Sequence, residues 1–216
     1  MSTFQTNPKF NYQAILGANN PLSRYPQLYD AALSEFSQNN YQSASLNRIL
    51  KTGGMAKSSL YYHFGDKFGL YLAMLDIIAD HKQAYILPRL DELKQEGDFF
   101  TSMRRLCAGT TAYMLADPRM LELSSRFLEE DPKLPETVYE YLLPSYDNSL
   151  DRLITAALKS EQIDPKYSCE FLSGLIMLLF SSLTKLTASA DFAELEKNMY
   201  LVLDILENGI KKREVR

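Results

Sequence analysis

The chain has 216 residues, of which 46% are hydrophobic, so it can bury a real core and wholesale disorder is excluded. That length admits one large domain, or a small one followed by a larger one. The net charge of −4 is uneven: residues 1–70 hold six basic against three acidic side chains, a net of +3, and the remainder carries −7, the balance of a mildly basic module on an acidic body.

In chain order, residues 1–22 are polar and Asn-rich, with Pro8 and Pro21, and are expected to form an N-terminal arm with one short helix around Tyr12 to Leu16. Their start lacks the basic and then apolar pattern of a secretory signal. A first helix is expected from Ser23, with Ser23 as its cap and Pro26 in its first turn. Leu28, Ala32 and Phe36 recur at four-residue spacing along it. A short second helix, about Ser45 to Lys51, turns Leu46, Ile49 and Leu50 inward and ends at Gly53-Gly54. A third, about Lys57 to His63, buries Leu60 and Phe64. Gly65 stops it, and Asp66 caps a longer helix from Lys67 that Pro88 kinks or ends. Further starts are expected at Asp98, Asp117-Pro118, Asp131-Pro132, Asp164-Pro165 and Asp191-x-x-Glu194. Neither strand alternation nor a long repeat is visible, so the expectation is an all-α chain of nine or ten helices.

Two short helices joined by a tight glycine turn, with a packing helix before them, form a helix-turn-helix. The third helix needs only Leu60 and Phe64 for its inner face. Lys57, Ser58, Ser59, Tyr61, Tyr62 and His63 are left to point outward. An ammonium, hydroxyls, phenols and an imidazole suit phosphates and base edges, and the rings can press on thymine methyls. Lys67 opens the next helix, where its ammonium and nearby backbone N–H groups can grip a phosphate. The alternative on spacing alone is a plain helical bundle in which Tyr61, Tyr62 and His63 cover a core edge.

The stretch "LYDAALSEFSQNNYQSASLNRILKTGGMAKSSLYYHFGDKFGL", residues 28–70, resembles the DNA-binding domain of TetR-type (TetR/AcrR-like) transcriptional regulators. The paired alanines of the first helix, "GMAKSSLYYHF" and the following Asp66-Lys67 fall in that family's register. The resemblance implies an all-helical dimer that joins this module to a divergent C-terminal domain for small effectors and dimerisation. It implies backbone contacts by Tyr61, His63 and Lys67, a phosphate contact by Ser45, and Lys57, Ser58, Ser59 and Tyr62 at or beside base edges. The arm is longer than usual for the family. Ala44 stands where a capping Thr is usual, leaving Ser43 or Ser45 to cap the second helix.

The body is expected to supply a ligand site and a partner face. Tyr113, Met114, Phe127, Tyr139, Tyr146 and Met177 are the candidate effector-binding residues, of types that line apolar pockets and ordinary cores alike. Residues 164–188 and 191–212 read as the two most apolar helices. The stretch "FLSGLIMLLFSSL" at 171–183 falls short of the roughly 20 residues a membrane span needs. Gly174, Met177, Leu178, Ser181, Met199, Val202 and Leu206 are expected at a two-fold seam, the competing reading being this chain's own core. Cys107 and Cys169 read as small buried hydrophobes, with a disulfide or redox role as the alternative. His63 and His81 show no metal-ligand spacing.

The expected architecture is an arm over 1–22, an N-terminal three-helix helix-turn-helix domain over 23–70, and a larger helical effector-binding and dimerisation domain over 71–216. The expected function is a cytoplasmic DNA-binding regulator, a repressor released from a palindromic double-stranded operator by a small, largely apolar effector. No cofactor, metal or membrane partner is expected. Gly53-Gly54 lacks the phosphate-loop pattern and no G-x-S-x-G occurs, so no enzyme is expected. The rival readings are a TetR-like activator and a helical protein-binding adaptor without DNA affinity.

Overall fold

The computed structural model describes residues 6–93, 98–142, 149–181 and 192–211. Among them are ten α-helices: α1 Pro26–Gln38, α2 Leu46–Gly53, α3 Lys57–Phe64, α4 Lys67–Leu93, α5 Phe99–Leu115, α6 Pro118–Glu129, α7 Lys133–Leu142, α8 Ser149–Lys159, α9 Cys169–Ser181 and α10 Phe192–Ile210. The all-α expectation is met, and the described residues contain only one antiparallel bridge, Ile163 to Lys211. None of the described helices is long and apolar enough to cross a membrane. The chain divides into two compact units, Met1–Ala84 with Met114–Tyr146, and Tyr85–Tyr113 with Asp147–Arg216.

The first unit begins with three short 3-10 turns, Tyr12–Ile15, Gly17–Asn19 and Pro21–Arg24. The described part of the expected arm is therefore folded, and Tyr12, Ile15, Leu16 and Leu22 are buried. Helix α1 starts later than expected. Ser23 sits in the last 3-10 turn and donates its hydroxyl to the Asn20 carbonyl, so it does not cap. Pro26 takes the first helical position instead, where a missing N–H costs nothing. Leu28, Ala32 and Phe36 are all at 1% exposure or less, and they pack with Ile49, Leu60, Phe64, Phe68 and Leu70. Each such leucine, isoleucine or phenylalanine side chain contributes about 1.5–3 kcal/mol on full burial.

Helices α6 and α7 add Leu123, Leu134 and Val138 to the same core. Helix α6 is also fastened to α1 by polar contacts. Arg119 donates to Asp30 and Ser34 at 2.7 Å each, and Arg126 donates to the Ser37 carbonyl. Asp117 caps α6 by accepting the Arg119 N–H, and Asp131 likewise accepts the Lys133 N–H before α7. Pro88 lies inside α4 without ending it. Its ring removes one intrahelical bond, and the carbonyl left over belongs to the exposed Ala84, where water can serve.

The second unit packs Phe99, Phe100, Met103 and Cys107 of α5 against Ile154, Leu172, Ile176, Val202, Leu203 and Leu206. Arg104 ties α5 to α10 by donating to Asp204 at 2.6 Å and Glu207 at 2.7 Å. Asp98 caps α5, accepting the Thr101 N–H at 2.7 Å. The start expected at Asp164-Pro165 is not a helix start. Asp164 donates its N–H to the Ile210 carbonyl beside the Ile163–Lys211 bridge, which holds this backbone extended. Helix α9 starts only at Cys169, where Ser168 Oγ accepts the Phe171 N–H. Asp191 lies outside the described residues. Cys107 is buried and Cys169 half-buried, and no disulfide joins them.

Candidate nucleic-acid interface

Helix α2 is held at both ends. Ser45 Oγ accepts the Arg48 N–H at 3.3 Å, which identifies Ser45 rather than Ser43 as the cap. The N–H of Ser45 donates in turn to Glu35 Oε1 at 2.8 Å, and Arg48 Nη1 reaches Glu35 Oε2 at 3.0 Å. Glu35 is buried on α1, so one carboxylate gathers the start of α2 against the packing helix. The sequence signal for this role is an acidic residue in the inward stripe of Leu28, Ala32 and Phe36, where a buried carboxylate demands donors. At the other end Gly54 closes α2 in the left-handed conformation, with φ of 67°.

Helix α3 spends only Leu60 and Phe64 on the core, both at 0% exposure. Lys57 and Ser58 are exposed, and Ser59 and His63 are half-buried. Tyr61 is 47% exposed and Tyr62 81%. Tyr62 therefore adds almost nothing to the core, and most of its ring is available to a partner. The Lys57 ammonium stands 6.0 Å above the Tyr61 ring. His63 Nε2 lies 3.3 Å from the Tyr25 hydroxyl, which pins the end of α3 to the start of α1. The surface that a two-turn helix leaves outside the core thus carries an ammonium, two serine hydroxyls and two phenols, the donors and acceptors that read base edges and phosphates.

Lys67 is committed more deeply than expected. Its ammonium donates to the Gln42 carbonyl at 3.1 Å and the Ala44 carbonyl at 3.2 Å, and lies 4.7 Å above the Tyr41 ring. Burial holds the amine below its usual range, opposed by the carboxylates of Glu130 and Glu35. Lys67 therefore anchors the loop that leads into α2. Lys67→Ala is expected to lose about 1–2 kcal/mol of stability through those contacts. It is also expected to weaken DNA binding uniformly and to reduce the salt slope by about one. Titration at several salt concentrations checks both. A stability loss with an unchanged slope would assign the ammonium to the loop alone.

The described residues expected to bind an effector are divided between the two units. Phe127 and Tyr139 meet edge to face at 5.6 Å in the first unit, where Met114 packs on the same core. Tyr113 pairs with Tyr85 at 5.8 Å in the second unit, and Met177 is exposed on α9. Tyr146 lies outside the described residues. A cleft of about 280 Å³ in the first unit, bounded by Asn20, Tyr29, Ile77 and His81, contains none of them. Of the expected seam, Gly174, Met177 and Leu178 are exposed. Val202 and Leu206 are buried in the second unit's own core, and Met199 packs against it. Among the described side chains of α10, the outward large apolar ones are Leu201 and Ile205, one position away around the helix. The side chain of Ser181 lies outside the described residues.

Residues 28–74 match the sequence pattern of bacterial regulatory proteins of the tetR family. The Fatty acid metabolism regulator protein of Bacillus subtilis (strain 168) is 22% identical over 200 residues, covering 88% of this chain and 97% of its own. The HTH-type transcriptional repressor AcnR of Corynebacterium glutamicum is 22% identical over 207 residues, covering 93% of this chain and 100% of its own. Among solved structures, the transcriptional regulator FadR of Bacillus subtilis in complex with stearoyl-CoA superposes with a TM-score of 0.67 at 18% identity, covering 86% of this chain and 99% of that one.

Proposed function

We propose that this chain, a TetR-type regulator by its N-terminal module and its helical fold, is a cytoplasmic repressor that binds a palindromic operator as a homodimer and leaves it when a small, largely apolar effector binds. The observation that carries the reading is α3: it buries Leu60 and Phe64 alone and turns Lys57, Ser58, Tyr61 and Tyr62 outward. Lys57, Ser58, Ser59 and Tyr62 lie at or beside base edges, while Ser45, Tyr61, His63 and Lys67 meet the phosphates. The repressor assignment draws support from the corynebacterial relative, and the largely apolar effector from the acyl chain of the stearoyl-CoA bound in the Bacillus structure. In this reading residues 23–70 read DNA, and residues 71–216 hold the effector and the second subunit.

Stearoyl-CoA is the first effector to test. Operator affinity is measured with and without it, and its own affinity with and without operator. Linkage requires the two factors to be equal, and coupling of this kind is typically about 5- to 150-fold. Equal factors in that range, with operator released, are the expected result. Tight binding of stearoyl-CoA with unchanged operator affinity would exclude it as the signal.

A further inference from the structure

The segment before the tetR-family match is built into the corner that carries the DNA-reading helix. Gly65 joins α3 to α4 with φ of +76°, and a Cβ there would lie 2.4 Å from Cγ of Phe10. The Phe10 ring therefore rests directly on the corner. Two residues on, Tyr12 is 1% exposed and its ring meets Phe10, Phe68 and Tyr141 at 5.1, 5.0 and 5.6 Å. Its hydroxyl donates to Asp66 Oδ2 at 2.5 Å and accepts the Asn7 N–H at 2.8 Å. Asp66 uses its other oxygen to cap α4, accepting the Gly69 N–H at 2.9 Å. The segment is tied down again further along α4. Gly17 N–H and Asn20 Nδ2 each donate to Asp76 Oδ2 at 2.8 Å. The two anchors, Asp66 and Asp76, are about 15 Å apart along the helix at 1.5 Å per residue.

A phenylalanine would fill the space under α4 equally well. The hydroxyl of Tyr12 is aimed instead at the residue that follows the α3–α4 turn. Helix α3 is eight residues long, about 12 Å, so a 10° swing at Gly65 moves Lys57 by about 2 Å. That displacement breaks hydrogen bonds to base edges, which tolerate a few tenths of an ångström. Contacts to phosphates by long side chains survive it better.

We infer that residues 7–20 form a strap that sets the angle of the reading helix, with Tyr12 and Phe10 as positioning residues for sequence recognition. The inference rests on the DNA-binding reading given above. Neither residue touches DNA in this arrangement; both act through Gly65 and Asp66.

The test uses the full chain and two labelled duplexes: one recovered from a random pool by the wild-type protein, and one unrelated duplex of the same length. Tyr12→Phe keeps the ring and removes the bond to Asp66. It is expected to weaken binding to the recovered duplex about tenfold and to change binding to the unrelated duplex less than twofold, at the level of a lost specific contact. A purely structural defect would lower both affinities together by reducing the folded fraction, so the ratio of the two is the informative quantity. Phe10→Ala is expected to lower the same ratio, and to relieve part of the binding defect of Gly65→Ala by removing the ring its methyl would strike. Retention of the wild-type ratio by both Tyr12→Phe and Phe10→Ala would overturn the inference while leaving DNA binding in place. A wild-type chain that enriches no duplex would overturn the DNA reading and the inference with it.

Discussion

Gly69→Ala is expected to unfold the first unit under conditions in which the wild-type chain is folded. Inside an exposed helix the substitution would be favourable by up to about 1 kcal/mol, because alanine is the better helix former. Position 69 is not such a site. A Cβ there would lie 1.8 Å from the Phe64 carbonyl oxygen and 3.2 Å from Cε1 of Tyr12. The near atom is backbone, at the last residue of α3, and no rotamer change moves it. Relief requires displacing the α3–α4 corner, which carries the fully buried Leu60, Phe64 and Phe68. The expected loss is about 3 kcal/mol or more, the range of severe overpacking. Denaturant titration followed by circular dichroism measures it. Gly209→Ala in α10, where a Cβ meets nothing within 4 Å, is the control and is expected to be neutral or stabilising. Equal stability of the two variants would refute the close approach at Gly69.

Gly174→Arg is expected to give a folded monomer. A Cβ at this exposed position meets nothing within 4 Å among the described residues, so the arginine is expected to be accommodated with the unit intact. Around it α9 presents Phe171, Met177 and Leu178, with Leu178 62% exposed. Helix α10 presents Leu201 and Ile205, the latter 71% exposed. Apolar side chains of this size left to water at helical spacing suit a second copy of the same two helices. A desolvated, unpaired arginine in that seam costs several kcal/mol in each subunit. Losing the second subunit removes the linked half-site, so operator affinity is expected to fall by about 10² to 10⁴. Sedimentation of the variant beside the wild type reads the first effect and operator titration the second. A dimeric Gly174→Arg with wild-type affinity would place the seam elsewhere.

The helix-turn-helix was legible because its signals are local. The four-residue spacing of Leu28, Ala32 and Phe36, the inward Leu60 and Phe64, and the Asp66 cap each depend on neighbours within one or two turns. Features that depend on distant partners were not legible. Ser23 and Asp164-Pro165 carry good capping chemistry, but a 3-10 turn claims the first and the Ile163–Lys211 bridge the second. The apolar stripe of α10 is wide enough to face two ways. Periodicity could not decide that Val202 and Leu206 turn to the chain's own core while Leu201 and Ile205 turn out. Residues 6–22 read as polar because their few apolar side chains are scattered, yet Tyr12 and Leu22 are among the most buried in the molecule. Lys67 stood out as a cation at a helix start, but its carbonyl partners at Gln42 and Ala44 are more than twenty residues away.

Whether α3 reads a DNA sequence is decided by selection of bound duplexes from a random pool by the full chain, followed by titration of the product at several salt concentrations. Enrichment of a near-palindrome is expected, with half-sites about 34 Å apart or a multiple of that, bound with an affinity that falls steeply as salt rises. Tyr62→Ala is expected to change the sequence recovered. A pool that stays random after repeated rounds, with no salt-dependent DNA affinity at any concentration, would contradict the DNA reading and leave the exposed face of α3 to a protein partner.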